Sequence, residues 1–189
     1  LYRRQETQDV ITLLRVLADA KDTVAFGALM RGPLVGFTDQ TLLDITAALP
    51  ERNGRPGVFT VATPLDDIAD MEARAVVAEL VALRRRARFT SPAQLLGEAI
   101  ERLGVRVVLS LRDDPRHAAA ATANIDVILE RAARYGVRGL RRLAADLHAD
   151  WRGNREASEG WGEVDGDAIL IVTMHSAKGL EWPVVIPIN

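Results

Sequence analysis

The residues best equipped for chemistry stand together in Thr173-Met174-His175-Ser176-Ala177-Lys178-Gly179-Leu180-Glu181. Thr173 and Ser176 offer hydroxyl donors, His175 a ring donor and Lys178 a full positive charge. Glu181 can accept from a sugar hydroxyl or hold a metal-bound water, and Gly179 allows close backbone approach. The run follows Ile169-Leu170-Ile171-Val172, an unbroken aliphatic sequence expected of a strand buried on both faces. Backbone N–H groups at a helix start after such a strand point outward with partial positive charge, which suits phosphate. The same residues would also make a solvated turn with Ser176 as its helix cap, and spacing alone leaves both readings open.

A second candidate is the group Arg84, Arg85, Arg86 and Arg88. Clustered cations reward any phosphate backbone regardless of sequence, so a contact to duplex DNA is one reading. The other is a helix C-terminus stabilised by cations. Other chemistry is poorly represented. With no cysteine there is neither a thiolate metal site nor a disulfide framework. His117 and His148 have no carboxylate or histidine at ligand spacing, so no metal site is expected. Trp151, Trp161 and Tyr135 are too scattered for a base-stacking platform and read as packing residues.

The elements that must position these groups are mostly helical. Val10, Leu13, Leu14 and Leu17 recur at the helical period. A second helix carries Val24, Phe26, Leu29 and Met30 and stops at Gly32-Pro33. Thr38 or Asp39 caps a short helix bearing Leu42, Leu43, Ile45 and Leu49, and residues 50–57 read as a loop. Residues 66–88 form the longest candidate, with an apolar stripe of Ile68, Met71, Val76, Leu80 and Leu83 and an Arg-rich end. Ser91-Pro92 has the form of a cap followed by proline at the first helical position, opening a helix through Leu95, Leu96, Ile100 and Leu103. The β-branched run 105–111 is ambiguous, and its surroundings favour helix. Helices near 116–135 and 139–151 follow, separated by Gly136. Residues 152–167 are glycine-rich and polar, a connector of the length that marks a domain boundary or function. Beyond it, 169–172 and 183–188 read as strands flanking the turn at 175–181.

The 189 residues are 48% hydrophobic and 26% charged, an ordinary globular mixture rather than a disordered one. Net charge is −2 overall, but it runs −4 over 1–73, +7 over 74–142 and −5 over 143–189. A basic middle between acidic flanks suggests a surface facing a polyanion. Of the 24 cationic residues, 22 are Arg, and with 28 Ala this resembles a coding bias. No apolar run is long enough to span a bilayer and no secretory leader opens the chain, so a cytoplasmic protein is expected.

The run "TMHSAKGLEWPVV" resembles motif V of the UvrD-like, superfamily 1 DNA helicases, in the form T-x-H-x-A-K-G-L-E followed by an aromatic residue and a strand. Trp182 stands where phenylalanine is commoner. Two further stretches are similar to that family's sequences around its 2B insertion: "RRQETQDVITLLRVLAD" at its start and "ANIDVILERAARYG" near its end. "MRGPLVGFTDQTL" fits the AddA and RecB-like branch. The resemblance implies a mainly α fold. Residues 1–151 would be a helical 2B-type insertion domain, 152–167 a flexible connector, and 168–189 a short β-α-β start of a RecA-like motor domain. By the family's roles, Thr173, His175 and Ser176 contact DNA, while Gly179 and Glu181 serve nucleotide binding or coupling.

No G-x-x-x-x-G-K-[ST] phosphate loop and no D-E-x-Q-D motif occurs in the chain. Motif VI would follow Asn189. The resemblance therefore implies a fragment with no catalytic residue of its own, inactive alone, within a parent that is an ATP-dependent DNA helicase using ATP and Mg2+. Single-stranded and duplex DNA are the implied partners, and a second subunit of helicase-nuclease type is a further one. A role in DNA repair or recombination is implied as well. A helical protein-interaction module without motor function is the alternative.

Overall fold

The computed structural model describes residues 1–52, 54–112, 114–153, 173 and 184–187. Among them are eight α-helices: α1 (Gln5–Ala18), α2 (Thr23–Arg31), α3 (Asp39–Ala47), α4 (Met71–Arg86), α5 (Pro92–Arg102), α6 (Val105–Arg112), α7 (Pro115–Ala132) and α8 (Leu140–Arg152). The expected strands at 169–172 and 183–188 fall almost entirely outside the described residues. Val184, Val185 and Ile186 are described, and all three are exposed.

α1 is the central element, packed against α2, α4, α7 and α8. Its stripe of Val10, Leu13, Leu14 and Leu17 is fully buried as the periodicity predicts, joined by Ile11 and Val16. Each such aliphatic side chain contributes about 1.5–3 kcal/mol by leaving water. α7 closes the other side, with Ile125 and Ile128 facing the core that α5 and α6 complete. The ambiguous run 105–112 is helical, because Val105 and Leu109 lie four residues apart on one buried face.

Local chemistry sets most helix starts. Asp22, Thr38 and Asp70 each accept from a backbone N–H three residues on, and Asp114 accepts from Arg116 and His117. Ser91 and Gln94 form a complete capping box, with Pro92 at the first helical position.

Four expectations need correction. The helix expected over 66–88 begins only at Met71. Leu65–Asp67 is a 3-10 turn, and Ile68 reaches the core from non-helical backbone, its carbonyl accepting from Arg74 Nε and Nη2 at 2.9 and 2.6 Å. Met71 consequently points to solvent, 82% exposed. Val24 and Leu43 are also exposed, since Ala25 and Ile45 take the inward positions on their helices. Arg152 closes α8 instead of opening the connector.

Candidate nucleic-acid interface

Of the residues in the 173–181 turn, Thr173 is described and exposed. His175, Ser176, Gly179 and Glu181 lie outside the described residues, as does Lys178. The arginine group, by contrast, is described in full.

The four arginines do not act together. Arg84 turns inward, half-buried, and its Nη1 donates to the carbonyls of Val16 and Leu17, the latter at 2.8 Å. These are carbonyls of the last turn of α1, which have no partner within their own helix and lie at the negative end of its dipole. The position had a signal in the sequence: 73, 77, 80 and 84 continue one 4-3-4 stripe, and the first three are buried. Arg86 Nε bonds Glu98 at 2.6 Å, and Arg102 pairs with both Glu98 and Glu79, so these groups tie α4 to α5. Arg85 and Arg88 remain exposed, with no ion pair among the described residues. Phe89 follows them at 82% exposure.

α8 supplies a second cation to the same helix end. Arg141 Nε donates to Ala18 O at 3.3 Å, next to the carbonyls that Arg84 holds. The Arg84 guanidinium is held below its ordinary pKa by burial, and the neighbouring Arg141 charge adds to this while Asp19 opposes it. The C-terminus of α1 thus gathers the end of α4 and the start of α8. Beside it lies an open groove of about 310 Å³, bordered by Arg15, Asp19, Asp22, Arg141 and His148. Arg15 and Asp22 pair across it at 2.7 Å. His148 Nδ1 is buried without a hydrogen-bond partner, and its ring lies 5.2 Å from that of Trp151.

The turn before α8 is conformationally unusual. Arg138 has φ +73, a left-handed conformation that L side chains rarely adopt. Gly139 is required as glycine, because a Cβ there would meet Gly136 O at 2.8 Å. Val137 is 57% exposed. Around this turn the carboxylates are engaged. Asp146 bonds Arg142 Nε at 2.9 Å and accepts from Tyr135 at 2.8 Å, and these bonds, that of Arg142 foremost, hold its carboxyl below the usual carboxylate range. The sequence reading missed this turn, whose mark was an arginine between Gly136 and Gly139.

Asp114 corrects the expectation that His117 has no carboxylate partner, since it bonds His117 Nδ1 while capping α7. Among the described residues no group of three metal-binding side chains occurs, and no helix is long and apolar enough to cross a membrane.

No protein-family model matches the chain, and no solved structure gives a significant match. Curated proteins do match along nearly its whole length. An ATP-dependent helicase/nuclease subunit from Exiguobacterium sibiricum is 29% identical over 98% of the chain, which covers 16% of that protein. Its counterpart from Heliobacterium modesticaldum is 25% identical over 97% of the chain and 14% of its own length. DNA helicase II of Salmonella typhimurium is 26% identical over 97% of the chain and 26% of its own length. The chain therefore spans a small part of each relative.

Proposed function

From a chain homologous over nearly its whole length to a segment of UvrD-like helicases, we propose a fragment of an ATP-driven DNA translocase. The end-to-end match to proteins named as helicases supports this most directly. In this reading 1–151 is a 2B-type insertion, 152–167 a connector and 168–189 the β-α-β start of a RecA-like motor segment. The helicase/nuclease relatives favour a parent that works with a second subunit in DNA repair or recombination, in the cytoplasm.

Within the motor segment Thr173, His175 and Ser176 contact single-stranded DNA. Gly179 and Glu181 sit on the nucleotide side, so that one turn addresses both ligands. ATP and Mg2+ belong to the parent, whose phosphate loop is supplied by residues other than these. The basic end of α4 reaches duplex DNA through Arg85 and Arg88, since Arg84 and Arg86 are engaged within the helical domain.

The experiment is His175→Ala in the intact parent. Single-strand binding and translocation should weaken, with free nucleotide affinity nearly intact. Loss of one neutral phosphate contact is worth about 1 kcal/mol. Unchanged single-strand binding would remove His175 from the DNA contact.

A further inference from the structure

Two helix-helix turns meet the C-terminal end of α1, and they carry the same composition. The α4–α5 turn presents Arg85, Arg88 and an 82% exposed Phe89. The α7–α8 turn presents Arg138, Arg141 and a 57% exposed Val137. They are joined physically, because Arg84 and Arg141 grip successive carbonyls of α1, at Val16, Leu17 and Ala18. Neighbouring carboxylates are already used: Glu98 by Arg86, Asp146 by Arg142 and Asp22 by Arg15. Arg85, Arg88, Arg138 and Arg141 have no ion pair among the described residues. Four cations gathered without counter-charges repel one another, and only a polyanion supplied from outside relieves that.

Arg138 adds an independent observation. A glycine would take φ +73 freely, and Gly136 and Gly139 flank the site, yet the strained position holds an arginine. Strain kept at an exposed cation points to a function for that side chain.

We propose that this end of the helical bundle is a two-armed contact for the phosphodiester backbone of DNA. Arg85 and Arg88 form one arm and Arg138 and Arg141 the other, with Phe89 and Val137 as apolar tips. It extends the duplex contact of the preceding reading to a second turn, and it rests on that reading only for the identity of the polyanion.

The test is anisotropy of labelled DNA with the 189-residue chain between 50 and 200 mM salt, with duplex and single-strand arms of equal length. Arg138→Gly should raise the melting temperature, because strain is relieved, while weakening binding about five- to tenfold at 0.1 M salt. The slope of log affinity against log salt should fall by about 0.9 on duplex or about 0.7 on a single strand, which tells the two DNA forms apart. The Arg85→Gln/Arg88→Gln pair should remove about twice that slope. Arg116→Gln, an exposed arginine at the far end of α7, is the control and should change little. Unaltered affinity of Arg138→Gly, or an equal loss from Arg116→Gln, would overturn the proposal. An acidic protein as the true partner would show as no DNA binding at 50 mM salt, which also overturns it. Failure of the motor reading would appear instead in translocation by the parent, and these binding values would stand.

Discussion

Arg84 shows how neighbours in sequence acquire separate work. Its guanidinium satisfies two carbonyls of α1 that would otherwise be left at a buried helix end, whereas Arg85, one residue on and about 100° around the helix, faces water. Arg84→Met keeps the aliphatic stem but removes the donors. Thermal unfolding should show a loss of about 1–3 kcal/mol, the cost of orphaned acceptors, and Arg84→Lys should recover part of it. Arg85→Met, by contrast, should leave stability within about 0.5 kcal/mol. His148 makes a pH-dependent counterpart. Burial first, then the charges of Arg15 and Arg152, hold its ring below the ordinary histidine pKa, with Asp22 opposing. The folded state therefore resists a proton that the unfolded chain accepts. Its stabilisation is complete above the unfolded value, about 6.5, and is lost as pH falls from there toward the lowered folded value. Urea midpoints of the wild type should decline across that window, and His148→Gln should flatten the decline. A parallel decline in the variant would assign it to the carboxylates.

At the scale of elements, starts were more legible than faces. The Ser91-Pro92 start of α5 is written in four consecutive residues, and the capping box forms as the local chemistry requires. Ser91→Ala should cost about 1 kcal/mol in thermal or denaturant unfolding, with the other helices unaffected by circular dichroism. Gly139→Ala should cost more, because its methyl group would meet the Gly136 carbonyl at 2.8 Å and backbone yields poorly. What the sequence withheld depended on distant partners. Asp66 and Asp67 imitate an acidic helix start, but Arg74 holds the Ile68 carbonyl and Asp70 caps Ala73, so the helix opens four residues after Asp67, at Met71. Val24 pointed outward because burying Ala25, Phe26 and Leu29 determines the azimuth of α2. The Arg84–Arg88 group was legible as basic but not as divided, since the division depends on α1 and α5 packing against α4. The turn at Val137–Gly139 offered composition alone, and its strain exists only in the folded chain. The 173–181 turn was the sharpest signal in the sequence, yet most of it lies outside the described residues, so its roles still rest on the motif.

For the whole molecule, the arrangement separates a DNA-holding helical domain from a turn that reads the nucleotide. The 189-residue chain should show no DNA-stimulated ATP hydrolysis in a phosphate-release assay, because no phosphate loop exists in it to cradle the β- and γ-phosphates. Turnover by the purified chain would overturn this parsing. Coupling can be examined only in the parent, and Glu181 is the residue to examine. A carboxylate beside a triphosphate is electrostatically unfavourable unless it accepts from sugar hydroxyls or a metal-bound water. Its contribution is then orientation rather than affinity, and it lies eight residues from Thr173 and six from His175 in the same turn. A change in nucleotide state felt at Glu181 moves the DNA-gripping groups through one short element, which is a coupling free energy between two sites. Glu181→Gln keeps an acceptor oxygen, so ATP affinity should stay within a few-fold. The neutral amide loses the charge-assisted bond, and DNA-stimulated turnover should fall by about tenfold, the worth of about 1.4 kcal/mol. Hydrolysis without DNA should fall much less. Equal losses with and without DNA would place Glu181 in the chemical step or in folding, and no loss in either condition would leave it a surface residue and end the coupling argument.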